Sequence, residues 1–291
     1  MAERFEIVEK ALRQMLEDKK YNTLRDILIT MNPSDIAAVF AGLKDEKIPV
    51  MFRLLTKELA AETFVEMEPD DQELLIRGFS DNELKEVLDE LYVDDAADLV
   101  EEMPANVVKR ILKQADPEMR SAINQILRYP EYSAGSIMTT EYVSLRPTMT
   151  VEEAILRIRR QGIDKETIYT CYVTAKDRTL IGMVTVKDLL LAPDDEMTIQ
   201  ELMITNLIFV STQTDQEDVA RMFSKYNFLA LPVVDGEGRM VGIVTFDDAM
   251  DVMEEEATED MELMSGMTPS EKPYLKSTPF DLFKTGSPGS C

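Results

Sequence analysis

Across roughly the first 130 residues, apolar positions recur at helical spacing, and the pattern itself repeats. The segments PSDIAAVFAGL, KELAAETFVEM, PDDQELLIRGF, DNELKEVLDEL, DDAADLVEEM and ANVVKRIL follow one another. Each opens on a polar or acidic cap and then places apolar residues at i, i+3, i+4 and i+7, with a period of about 12 residues. Asp81 and Asp94 stand where N-cap or first-turn acids are favoured. Each predicted helix is too short to be stable alone. Stacking them buries a continuous stripe, which predicts an α-solenoid. A small helical bundle would satisfy the same pattern.

The helical period stops at RYPEYSAG, residues 128–135, where proline and glycine punctuate the chain. Beyond it, YVSL, TIYTCYVTA and TLIGMVTV read as strands, with TVEEAILRIRRQG as a helix after the first. NLIFVST, DQEDVARMFSKYN, FLALPVVD and RMVGIVT then repeat that order. Ser136-Ile137-Met138 recurs as Glu201-Leu202-Met203, EEAILRI as EDVARMF, and LIGMVTVKDLL as MVGIVTFDDAM. This is an internal duplication of a β-α-β-β-α unit of about 60 residues. A unit that small gains from packing on its copy.

The chain then runs into DDAMDVMEEEATEDMELM, residues 247–264, which reads as one helix. Asp251, Glu254, Glu255, Glu256, Glu259, Asp260 and Glu262 lie on it without a Lys or Arg among them. Like charges three and four apart destabilise a helix, so this one is either solvated or supplied with a cation. Asp248, Asp251, Glu255 and Glu259 form one stripe, and Glu256, Glu259 and Asp260 a second cluster. Met250, Met253, Ala257 and Met264 make a heptad-like seam on the other side, suited to a symmetric helix pair or to packing on its own unit. In the solenoid half, Asp94 and Asp98 share a helix face.

Composition narrows the chemistry. The net charge is −25 and the pI about 4.4, which argues against nucleic acid and anionic lipid and favours cations or basic surfaces as partners. There is no His, so the commonest zinc ligand and acid–base catalyst is missing. A metal would be held by oxygen, as Mg²⁺, Ca²⁺ or Mn²⁺. Cys171 sits in an apolar run and reads as a core thiol; Cys291 ends a GSPGSC tail that reads as an artificial scar. No apolar run approaches the ~18 residues of a membrane span, and the N-terminus is no signal peptide.

One motif occurs in both copies: glycine, two apolar residues, Thr, two residues, Asp. It is Gly182, Thr185 and Asp188 in the first and Gly242, Thr245 and Asp248 in the second. A Thr and an acid at a strand-to-helix turn can meet a ribose diol beside a helix start that favours phosphate, or simply cap the helix. With these residues the duplicated unit resembles a tandem cystathionine-β-synthase-type (CBS) pair, which implies adenine-nucleotide binding and little catalysis. The wider order is more specific. The solenoid, the junction YPEYSAGSIMTTEYVSL, the CBS pair, the helix EEEATEDM and the segment PYLKSTPFDLFK resemble the cytosolic part of the MgtE family of magnesium transporter-channels. The helical half alone also resembles the flagellar motor protein FliG.

The resemblance implies an α plus α/β multidomain chain. Residues 1–130 would be a right-handed superhelical N domain, 131–200 and 201–253 the two CBS units, and 247–266 the connecting or plug helix. Residues 267–291 would lead to a membrane domain, so the chain reads as an isolated cytosolic regulator from the cytoplasmic face of a bacterial membrane. The implied metal residues are Glu62, Asp94 and Asp98 in the N domain, and Asp215, Glu217 and Asp248 in the second CBS unit. Asp251, Glu256, Glu259 and Asp260 join them on the plug helix. Asn227 stands where some members carry an acid. Thr185 and Asp188 would hold ATP. The implied function is Mg²⁺ sensing by a homodimer attached to the transporter's membrane domain, with no nucleic acid involved. An adenylate-sensing module without metal gating and a helical scaffold for a basic partner are the other readings. With no nucleophile–base pair and no Walker loop, an enzyme is not expected.

Overall fold

The computed structural model describes residues 2–264, with side chains from Ile7 onward except Asp164, Glu259, Asp260 and 262–264. The chain divides into two compact units, residues 1–124 and the residues from 125 onward.

The first unit is entirely helical. After α1 (Ala2–Glu17), α2 (Tyr21–Leu28), α3 (Pro33–Ala41) and the short α4 (Ile48–Phe52), six helices begin every twelve residues. They are α5 (Lys57–Val65), α6 (Pro69–Gly78), α7 (Asp81–Leu88), α8 (Val93–Glu102), α9 (Ala105–Gln114) and α10 (Pro117–Ile126). The core keeps the same period: Leu28, Phe40, Phe52, Phe64, Ile76 and Leu88, each twelve residues after the last, are all buried. Phe52 packs edge-on to Phe64, with ring centroids 6.3 Å apart, and tilts against Phe79 at 5.3 Å.

Local chemistry sets the starts. Pro33 and Pro69 occupy first positions, where a missing N–H costs nothing. Thr56 caps α5, and Ser80 closes a capping box with Glu83 at α7. Glu83 also accepts from Arg53 Nε at 2.7 Å, and that guanidinium leads the causes that bring its carboxyl down to about 2. At the end of α6, Arg110 from α9 donates to the carbonyls of Ile76 and Phe79, the latter at 2.5 Å. It satisfies acceptors that the helix leaves open.

The second unit holds two three-stranded sheets. In the first, β1 (Tyr142–Leu145) runs parallel to β2 (Thr167–Thr174), which pairs antiparallel with β3 (Leu180–Thr185). In the second, β4 (Val210–Ser211) runs parallel to β5 (Ala230–Val234), and β5 antiparallel to β6 (Met240–Thr245). The duplication holds to the residue: Val173 pairs Gly182 as Val233 pairs Gly242, and Cys171 pairs Val184 as Leu231 pairs Val244. β4 is shorter than NLIFVST suggests. Its partner β5 has Pro232 where β2 has Tyr172, so a ladder donor is missing.

Helix α11 (Val151–Gln161) is the crossover between β1 and β2, and the short α12 (Val186–Leu190) follows β3. Helix α13 (Ile199–Leu202) leads to the second copy, where α14 (Gln216–Tyr226) is the crossover and α15 (Phe246–Met264) follows β6. Buried Cys171 lies in the first copy's core, and burial pushes its thiol up to about 12. A third small core of Tyr172, Ala230, Met240 and Ile243 joins the copies.

The leading segments cross over. Residues 133–139 precede β1 yet pack on the second copy: Ser133 bridges Asp215, Thr139 bridges Ile243, and Ala134 and Met138 enter that copy's core. Ile204, ahead of β4, likewise bridges Met183 in β3 of the first copy.

Helix α15 buries Ala249, Val252 and Thr258. Met250 and Met253 are 45% and 39% exposed, and Ala257 is exposed. The methionine seam therefore does not pack on its own unit; the placement of Met264's side chain lies outside the described residues. Among the described residues no helix is long and apolar enough to cross a membrane.

Candidate functional site

The strand-to-helix turn occurs twice, and the two copies differ in charge. In the first, the Thr185 hydroxyl donates to Asp188 Oδ2 at 2.6 Å, while the Asp188 N–H donates back to Thr185 Oγ1 at 3.1 Å. The Thr185 N–H donates to the same carboxylate at 3.0 Å, closing a capping box on α12. In isolation this is a helix cap. A ribose would have to share or replace those bonds.

In the second copy, the Thr245 N–H reaches Asp248 Oδ2 at 3.2 Å and the Thr245 hydroxyl the same oxygen at 2.5 Å. That hydroxyl also makes a short contact with the Asp247 carboxylate. A hydroxyl has one proton to give, so two carboxylates converge on a donor that can serve one of them. Lys187 is the counterpart of Asp247 in the first copy. The same turn thus carries a cation in one repeat and an extra anion in the other. Asp247 was not among the sequence-derived candidates; the Thr-Phe-Asp-Asp run set beside Thr-Val-Lys-Asp is the signal that finds it.

Asp248 is partly buried, and its carboxyl is pushed up to about 6. Burial is the main cause, the Thr245 hydroxyl opposes it, and the negative charges of Asp247 and Asp251 add to it. An acid in this state takes up a proton near neutrality or gains from a cation. Asp251 and Glu255 are exposed one and two turns further along α15, and Glu256 is half-buried. Glu259 and Asp260 lie outside the described residues as far as their side chains are concerned.

The other candidates have structural engagements of their own. Asp215 is the N-cap of α14, accepting from the Glu217 N–H at 3.0 Å. Glu217 is ion-paired with Arg221 at a short distance, and Arg221 also reaches Asp218 at 3.2 Å. Asn227 ends α14 in the left-handed region, with φ 53 and ψ 45, a conformation that Asn tolerates better than most residues. In the helical unit Glu62 and Asp98 are exposed, while Asp94 is 6% exposed. Asp94 and Asp98 thus share a helix but differ in solvent access.

Among the described residues no three carboxylates or thiols are arranged to hold a metal ion within one site. Pairs are what the structure offers, Asp247 with Asp248 foremost. Such a pair fits Mg²⁺, which keeps most of its waters and takes one or two carboxylates. A groove of about 150 Å³ lies between α11 and α12, lined by Ile155, Ile158, Arg159, Val186, Leu189 and Leu190. It is apolar apart from the arginine.

Comparison with known proteins gives a consistent picture. The family model for the MgtE intracellular N domain matches residues 31–132, and that for the CBS domain matches residues 134–195 and 199–255. The magnesium transporter MgtE of Thermus thermophilus is 38% identical over 277 residues, covering 94% of this chain and 61% of that protein. The magnesium transporter MgtE of Bacillus subtilis is 31% identical over 248 residues, covering 85% of this chain and 55% of that protein. The chain therefore spans about three-fifths or less of these relatives' lengths. Two solved structures superpose with TM-scores of 0.79, each covered to 99%. One is the cytosolic domain of the Mg²⁺ channel MgtE in complex with ATP, 39% identical over 84% of this chain; the other is the soluble part of a magnesium transporter, 29% identical over 87%.

Proposed function

Because this chain belongs to the MgtE family, carrying its intracellular N domain and CBS pair, we propose that it is the Mg²⁺-sensing regulatory part of a magnesium transporter. It would work at the cytoplasmic face of a bacterial membrane and gate a membrane domain outside this chain. The observation that carries the reading is the start of α15, where Asp247 and Asp248 share one hydroxyl and Asp248's carboxyl is raised to about 6. A hydrated Mg²⁺ would supply there the positive charge that these carboxylates lack.

The metal set proposed is the family set: Glu62, Asp94 and Asp98, with Asp215, Glu217, Asp248, Asp251, Glu256, Glu259 and Asp260. Asp247 joins it on the geometry. When cations are scarce, the acids of the helical domain, the second CBS unit and α15 repel one another and the assembly loosens. When they are abundant, those acids are held together and the compact form keeps the pore shut. Reversing a 1:99 population needs about 5.5 kcal/mol of differential binding. Several weak sites, each contributing ~1–2 kcal/mol, supply that sum at ligand concentrations well above their dissociation constants. The role is regulatory, not catalytic. The exposed Met250 and Met253 support a homodimer with α15 at its axis. Small-angle scattering in chelator and in millimolar Mg²⁺ tests the reading. A falling radius of gyration is expected, and an unchanged one across the titration would sink it.

A second site is proposed in the first CBS unit, where Thr185 and Asp188 would take the ribose of ATP and Lys187 favours its phosphates. The ATP complex of a related cytosolic domain supports this. The Asp188 carboxylate also caps α12, so Asp188→Asn, which keeps an acceptor oxygen, is the informative variant. Calorimetric titration should show weaker ATP binding with little change in melting temperature. Equal affinity would remove Asp188 from the site.

A further inference from the structure

The segment that precedes the first CBS unit is built into the second. The Ala134 N–H donates to Thr214 O at 2.7 Å and the Gly135 N–H to Thr212 O at 3.0 Å, while Gln216 N–H donates back to Tyr132 O at 2.9 Å. Thr139 and Ile243 exchange both backbone bonds, at 2.8 and 2.9 Å. Ala134 and Met138, fully buried, sit in one core with Phe223, Leu231 and Val244.

Two glycines make the approach possible. A Cβ on Gly242 would lie 2.6 Å from Thr139 O, a backbone atom, and 2.7 Å from Met138 Sδ. A Cβ on Gly135 would lie 2.5 Å from the Tyr129 ring and 2.9 Å from Thr212 O. Three residues before Gly135, Tyr132 adopts φ 59, a left-handed conformation uncommon in a bulky residue, with its carbonyl held by the Gln216 N–H. Residues 133–139 are thus paired and buried at both ends, with Ser136 and Ile137 half-buried between them.

We propose that residues 129–139, which follow the last helix of the first unit in sequence, form a strap that folds and opens as part of the second CBS unit, the one that carries α15 through β6, instead of with the first CBS unit that it precedes. β6 runs directly into α15, and the strap's bridge at Ile243 lies three residues before that helix begins. The inference stands on backbone pairing and packing and is independent of any bound metal.

Native-state hydrogen exchange of the whole chain, in chelator and rising urea, tests it. The amides of Ala134, Gly135 and Thr139 are expected to lose protection together with those of the second unit's β5–β6 pair. Ile204, paired with Met183, should follow the first unit's β2–β3 pair. Strap amides that open with the first unit, or ahead of both, would overturn the proposal. Gly242→Ala, which drives a methyl into Thr139 O, should speed exchange at the three strap amides by about tenfold or more while leaving Ile204 unchanged. Gly182→Ala faces the flexible end of Met203 at 2.5 Å and should do the reverse. Unchanged strap exchange in Gly242→Ala would also overturn it.

Discussion

Asp248 begins α15 and holds a partly buried carboxyl at about 6, above the ordinary 3.8. Its folded-state value is raised, so stability is greatest when both folded and unfolded states carry the proton, and is lost as pH climbs from about 4 through 6. At pH 7 the ionised form costs the fold at most about 3 kcal/mol, and the proton recovers it. Melting of the second unit in chelator should therefore shift upward as pH falls from 7 toward 5. Asp248→Asn should flatten that slope and leave the pH 7 melting temperature equal or higher. The same substitution should shrink the rise that MgCl2 produces in the wild type. A lower melting temperature in chelator, with an undiminished Mg²⁺ response, would assign Asp248 to capping alone. Asp188 occupies the same place in the first repeat, but its neighbour is Lys187 and not Asp247. That single exchange places a cation beside one turn and an extra anion beside the other.

Among the elements, the solenoid helices are short, and each depends on its neighbours for the groups it leaves open. Arg110 shows how this is done, reaching from α9 to the last carbonyls of α6 and to Asp81 Oδ1 at 3.4 Å. Arg110→Ala should cost about 1–3 kcal/mol in urea unfolding of the helical unit, the range for charged hydrogen bonds to buried acceptors. Lys, a point charge without the planar fork, should recover part of that. An unchanged midpoint would show that water serves these carbonyls equally well. Helix α15 differs in kind. Its inner face is thin, with Ala249, Val252 and Thr258 buried, and its outer face carries both the acids and the exposed methionines. A helix with so few buried apolar side chains is expected to open at a lower free energy than the strands it follows, which hydrogen exchange of its amides would read.

For the whole molecule, a net charge of −25 favours expansion by self-repulsion. Screening and bridging both relieve this, and they differ in dose. If pairs of carboxylates hold the cation, about 10 mM MgCl2 should compact the chain far more than NaCl of equal ionic strength, because screening depends on ionic strength alone. Equal compaction by the two salts, followed by small-angle scattering, would reduce the acidic surfaces to a solvated coat.

The repeat structure was legible in the sequence because it is local. Helix starts every twelve residues and a buried residue every twelfth position follow from caps and apolar spacing, and the duplicated strands from their matching runs. The Thr-x-x-Asp turns were legible for the same reason, as was the buried Cys171. What no local pattern carries is which surfaces meet. Asp215 and Glu217 read from the sequence as ligands; folding also engages one as a helix N-cap and the other beside Arg221. The methionine seam was open to two uses in the sequence; α15 packs through Ala249 and Val252 and leaves Met250 and Met253 exposed. Most of all, the residues ahead of the first repeat join the second one's sheet, because a strand edge and a core pocket accept whichever segment completes them. The sequence determined the elements and their chemistry by itself; the choice of partners across the chain was made by packing and backbone pairing, which only the tertiary structure contains.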